Sequence, residues 1–310
     1  MSLKRLVTRS DFDGLVCAMI LKECGLINEI KFVHPKDVQD GKVDLSENDI
    51  TTNLPYDKRV SMCFDHHESE ISRNPDMIAN NNWVIDGDAK SAARVVYNHY
   101  NSLGYDLHRI SYDIMTAVDK GDSADFTVDE ILNPTGWVLM NFLMDARTGL
   151  GRFHDFRISN YDLMMQLIDF CLAHNIEDVL QLPDVKERVD LYFEQAELFK
   201  AQLKEISTIH NKVVVVDQKS VKGDIYAGNR FMIYAMYPDA QISIHVAWGF
   251  RKQNTAVMIG KSIINKTSGV NIGDLCLKYG GGGHANAGTC QLDNDVVNDL
   301  LPNIIEACNA

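Results

Sequence analysis

Met62-Cys63-Phe64-Asp65-His66-His67-Glu68 is the stretch from which the fold of this chain is read. The mostly apolar run from Val60 to Phe64 predicts a short buried strand, and it stops at a carboxylate and two adjacent imidazoles. In an α/β protein such a strand end lies at the carboxyl edge of a parallel sheet, where ligands bind. Asp65, His66 and His67 together suit a divalent transition metal such as manganese or zinc. Taken alone, the three residues fit a polar surface turn equally well.

The flanking sequence supplies the context. Arg5 to Thr8 predicts a strand, Arg9-Ser10-Asp11-Phe12-Asp13-Gly14 an acidic turn, and Leu15 to Cys24 a helix stopped by Gly25. Strand, acidic turn and helix make the start of a βα unit. Capping the helix accounts for one of Asp11 and Asp13, but less well for both, which favours a metal. Further strands are expected at Glu29–Val33, Asp49–Pro55 and Trp83–Ile85, with helices at Ser91–Tyr100 and Ile110–Val118. The second of these helices is expected to break at Asp119-Lys120-Gly121-Asp122-Ser123-Ala124-Asp125. That cluster is either a solvated loop or a carboxylate returned to the metal.

This alternation predicts an α/β domain with a doubly wound, mostly parallel sheet over residues 1–150. Residues 151–210 read as a helical connector, with helices at Tyr161–Ala173 and Val185–Thr208. Residues 211–310 read as a smaller α+β domain, with the active-site cleft expected between the two domains. Its expected strands are Lys212–Asp217, Gln241–Trp248 and Thr255–Ile259, and its helices Asn229–Met236, Ile272–Tyr279 and Asn294–Cys308. The run Gly280-Gly281-Gly282-Gly283-His284 is read as a backbone cradle for a phosphate or carboxylate, against the alternative of a hinge loop.

Bulk properties narrow the function. At 310 residues the chain is long enough for two domains, and 45% apolar with 24% charged residues is ordinary for a soluble protein. No apolar run approaches the ~20 residues that span a bilayer, so no membrane partner is expected. A strand pattern from the first residues leaves no room for a signal peptide. Seven scattered cysteines without a CxxC pair point to the cytoplasm and away from disulfides or structural zinc. A net charge of −13 argues against long duplex nucleic acid as partner. A short phosphorylated ligand remains compatible if cations are gathered locally.

Taken together, these motifs resemble the DHH phosphoesterases, named for the triplet seen here as Asp65-His66-His67, and the glycine run with His284 resembles the signature of their DHH-associated C-terminal domain. The resemblance covers essentially the whole chain. It implies metal-dependent hydrolysis of a phosphate ester or anhydride, usually with manganese, one or two ions, on a small phosphorylated substrate or short single-stranded oligonucleotide. Homodimerisation is left open. Residue by residue it implies Asp11, Asp13, His66 and Asp119 as metal ligands and Asp65, His66 and His67 as the catalytic triplet. It would have substrate held by His67, Lys261, Gly281, Gly282, Gly283 and His284, while Arg9, outside the family pattern, is read from its guanidinium chemistry as a further substrate-binding residue.

Two positions depart from the family pattern. Arg9 stands where a histidine is usual, and Asn53 where an aspartate bridges two metals. Arg9 adds a positive charge and Asn53 removes a negative one, so the pair is read as one metal plus an arginine. The rival reading is a binding protein that kept the cleft and lost the chemistry.

Overall fold

The computed structural model describes residues 2–67, 70–71, 74–77 and 80–310. Glu68, at the end of the opening stretch, lies outside the described residues. Two compact units emerge, residues 1–125 with 135–191 and residues 126–134 with 192–310. The segment 151–210, expected as a connector, contributes to both. Its helices Asn160–Phe170 and Ile176–Gln181 pack into the first unit's core through Leu163, Leu167, Ile168 and Val179.

In the first unit, five strands, β1 (Lys4–Thr8), β2 (Ile27–Phe32), β3 (Asp49–Thr52), β4 (Met62–Asp65) and β5 (Trp83–Ile85), form one sheet in the order β2-β1-β3-β4-β5. Every pairing is parallel. Because side chains alternate along a strand, the sheet has two apolar faces. Leu6, Ile50 and Phe64 belong to one core, and Val7, Cys63 and Trp83 to the other. The Phe12–Glu23 helix is buried from Phe12 to Leu21 and packs against helices Ala92–Ser102, Tyr112–Asp122 and Asn160–Phe170. The strand order reverses direction at β1, between β1 and β3. Such a switch point opens a crevice at the carboxyl ends of the strands, and Arg9 to Asp13, Asn53 and Asp65 to His67 all follow those ends.

One expected break is absent. The Tyr112–Asp122 helix runs into the acidic cluster as far as Asp122 instead of stopping before Asp119. Its apolar periodicity ends there, but Gly121 lets the helix continue in close packing. A Cβ at Gly121 would stand 2.4 Å from Asn141 Oδ1 on the neighbouring Gly136–Met144 helix.

In the second unit, β6 (Ser207–His210), β7 (Val213–Asp217), β8 (Ile242–Trp248), β9 (Thr255–Lys261), β10 (Gly282–His284) and β11 (Ala287–Leu292) form a mixed sheet in the order β10-β11-β9-β8-β7-β6. Only the β7–β8 pairing is parallel. The expected end of the long helix at Thr208 is corrected: the Pro183–Ile206 helix gives way to β6 at Ser207, whose residues pair with Val213 to Val216. The glycine run is also not a free loop, since Gly282 and Gly283 belong to the edge strand β10.

Candidate metal centre

Asp13 lies deep in the site, 3% exposed. The turn that delivers it depends on Gly14, where a Cβ would stand 2.0 Å from the Arg9 carbonyl oxygen. Three N–H groups hold the Asp13 carboxylate. Ala93 N donates to Oδ1 at 2.8 Å, Ala92 N to Oδ2 at 3.2 Å, and Asn53 Nδ2 to Oδ2 at 2.8 Å. Ala92 and Ala93 open the helix capped by Ser91, so the carboxylate also faces the positive end of a helix dipole. Asn53 reaches Asp13 from a left-handed backbone, φ 55°, an uncommon conformation for a residue other than glycine.

His66 enters from the end of β4. Its Nδ1 is 3.2 Å from the Ala89 carbonyl oxygen, which can only accept, so Nδ1 carries the proton and Nε2 is left as the ligating atom. Nε2 is buried without an aligned hydrogen-bond partner, although Asp122 Oδ2 lies 2.8 Å away. The same 2.8 Å approach suits an imidazolium–carboxylate pair in the metal-free protein and two ligands of one cation in the metal-bound protein. Asp13, His66 and Asp122 bring their donor atoms within 4.8 Å of one another. Electrostatics agree. Burial, then the neighbouring Asp122 and Asp11, push the Asp13 carboxyl well above the usual carboxylate range. Burial lowers the affinity of His66 for a proton, but Asp122 and Asp13 outweigh it and raise its pKa to about 9. This group of acids is thus short of positive charge, and two carboxylate oxygens with one imidazole nitrogen fit a divalent cation.

The other residues singled out in the sequence take different places. Asp119, expected as a ligand, is committed elsewhere. It accepts from Ser91 Oγ at 2.7 Å and from Arg94 Nε and Nη2 at 2.9 and 2.6 Å. Asp122, one helical turn on, is the carboxylate that faces His66. The acidic cluster signalled it, but only the continued helix separates the two roles. Asp11 caps the Phe12–Glu23 helix through Gly14 N at 2.9 Å and pairs with Arg9 Nε at 3.0 Å. It is therefore both cap and ion-pair partner, outside the three-residue cluster. Asp65 Oδ1 accepts from His66 N at 2.8 Å and lies 2.7 Å from His67 Nδ1. It orients the triplet and leaves the other His67 nitrogen free of this contact. Arg147, not singled out in the sequence, lies close enough to Asp11 to lower its proton affinity, although burial raises it more.

Arg9, Asn53, Asp65 and His67 share the wall of a cavity of about 140 Å³. In the second unit, Lys261 N donates to Asn286 O at 2.8 Å, so Lys261 stands beside the turn that follows His284. The glycines there serve packing. A Cβ at Gly281 would lie 2.2 Å from Thr289 O, and at Gly283, φ 157°, 2.3 Å from Ala287 O, whereas at Gly282 it would meet nothing within 4 Å.

Comparison with solved structures gives a full-length relative. A pGpG-specific phosphodiesterase, PggH from Vibrio cholerae, is 52% identical over 99% of each chain, with a TM-score of 0.84. CDC45 from Entamoeba histolytica is 10% identical over 99% of this chain and 96% of its own, TM-score 0.50, a likeness of fold alone. RecJ from Thermus thermophilus matches 99% of this chain and 52% of its own at 12% identity, with a TM-score of 0.47. No protein-family model and no curated protein sequence matches the chain.

Proposed function

This chain belongs to the DHH phosphoesterase family, and from that premise we propose that it hydrolyses the linear guanine dinucleotide pGpG to two molecules of 5′-GMP. The convergence of Asp13, His66 and Asp122 is the observation that carries the reading. The 52% identical relative, whose substrate is pGpG, supports the choice of dinucleotide.

Asp13, His66 and Asp122 would hold the divalent cation, and their oxygen and nitrogen donors suit manganese. When bound, the cation supplies Lewis-acid polarisation of the phosphate and its developing charge. The chain's own groups do the rest. Arg9 meets the phosphate as a fixed guanidinium fork. His67, held at Nδ1 by Asp65, presents Nε2 to the phosphate or to a proton in transit. Water adds to phosphorus, the bond to the 3′-oxygen breaks, and that oxygen leaves with a proton. Residues 1–150 would carry this chemistry; in residues 211–310, Lys261, Gly282 and His284 are the candidate contacts for substrate, since Gly281 and Gly283 are pressed against backbone. No described helix is long and apolar enough to cross a membrane. Seven free cysteines accord with action in the reducing cytoplasm.

The test is turnover by manganese-loaded protein of pGpG, pApA, a cyclic dinucleotide and longer single strands, followed as mononucleotide release. Fast release from pGpG alone is expected. Failure to cleave any phosphodiester would refute the reading.

A further inference from the structure

Each acidic group around this centre can be followed to its partners. Asp119 is held by Arg94 and Ser91, and Asp65 by His66 N and His67 Nδ1. Asp11 spends one oxygen on Gly14 N and the other on Arg9. Asp13 already accepts three N–H groups, one of them the Asn53 amide. An N–H donor cannot coordinate a cation, so that edge of Asp13 is closed. What remains open is one oxygen direction on Asp13, His66 Nε2 and Asp122, which is the donor set of a single ion. The charges of the paired groups agree: with Asp119 paired to Arg94 and Asp11 to Arg9, the two carboxylates of the cluster, Asp13 and Asp122, carry the two negative charges that one divalent cation balances.

Building on the hydrolase reading above, we infer that the centre is mononuclear, and that Arg9, anchored by Asp11, is its second positive charge and grips the substrate phosphate. The cavity shared by Arg9, Asn53, Asp65 and His67 is where that phosphate enters. A second divalent ion there would stand against the Arg9 guanidinium. Like charges at contact range repel, more strongly out of bulk water than in it, and a doubly charged ion feels twice the repulsion of a singly charged one. The Asn53 Oδ1, buried and without a partner, offers such an ion one uncharged oxygen in place of a carboxylate.

The test is metal stoichiometry. Full-length protein saturated with Mn²⁺ and freed of excess should carry one ion per chain by elemental analysis, with the spectrum of an isolated ion in electron paramagnetic resonance. Two ions per chain with an exchange-coupled spectrum would overturn the inference and leave the hydrolase reading intact. No bound ion would overturn both. The double variant Arg9→His with Asn53→Asp should take up a second ion, whereas Arg9→His alone should not. For the phosphate grip, Arg9→Ala should weaken competitive inhibition by inorganic phosphate about tenfold or more, and added guanidinium should restore much of the lost turnover. Unchanged phosphate inhibition in Arg9→Ala would refute the grip.

Discussion

In the first unit, parallel strands all point the same way, so residues distant in sequence arrive at one edge: Arg9 to Asp13 after β1, Asn53 after β3 and Asp65 to His67 at the end of β4. In the second unit most neighbouring strands are antiparallel, and the glycine run forms the edge strand β10, pressed against β11 and the Ile272–Leu277 helix. One sheet concentrates side-chain chemistry at its strand ends. The other uses missing side chains to bring backbones together. Strand direction produces the difference, since parallel neighbours share a carboxyl edge and antiparallel neighbours do not.

Breaking the first edge should have the largest effect. His66→Ala, or Asp13→Asn, should lower turnover by more than ~10²-fold, the upper range for loss of an outer-shell partner. The thermal midpoint should change little for His66→Ala, whereas Asp13→Asn sets an amide donor against the N–H groups that Asp13 accepts and should lower it by a few degrees without unfolding the chain at room temperature. If either variant kept full turnover, the metal role assigned to it would be wrong.

Asp119 and Asp122 sharpen the same edge. Asp122→Asn should weaken manganese binding by at least ~10-fold, measured by titration calorimetry, with little change in stability. Asp119→Asn should do the reverse: it loosens a partly exposed Arg94 pair, costs about 1 kcal/mol in urea unfolding, and leaves manganese affinity nearly unchanged. The opposite pattern would return Asp119 to the ligand set.

The second edge can be divided in the same way. Gly281→Ala places a methyl against Thr289 O and should cost about 1–3 kcal/mol by overpacking. Gly282→Val meets open space and should leave the thermal midpoint in place while raising the Michaelis constant for pGpG. An unchanged Michaelis constant would make the run purely structural.

The smallest effect is expected away from both edges. Burial lowers the pKa of His245 on β8 to about 4, below the ordinary 6.5. The unfolded chain therefore binds more protons between those values, so stability is complete above pH 6.5 and is lost as pH falls toward 4. His245→Leu should flatten this slope by about 1–2 kcal/mol between pH 7 and pH 5, read from urea midpoints. An identical slope in the variant would show that other groups set the acid limit.

Much of the fold was legible because it rests on local patterns. The Asp65-His66-His67 strand end, the Asp11–Asp13 turn and the strand at Trp83–Ile85 all follow from apolar runs meeting polar stops. The glycine run was legible as a special backbone, but not as an edge strand, because what glycine permits depends on the atoms opposite it.

By itself, the sequence determined that acidic and imidazole groups end the strands of an α/β sheet, since strand periodicity and turn chemistry are carried by neighbouring residues. Only the tertiary structure decided which carboxylate meets the imidazole. Asp119 and Asp122 are chemically identical and three residues apart, and the choice between them depends on the angular position of one helix. Gly121 packing against Asn141 and Arg94 claiming Asp119 set that angle, and both contacts join residues far apart in the chain.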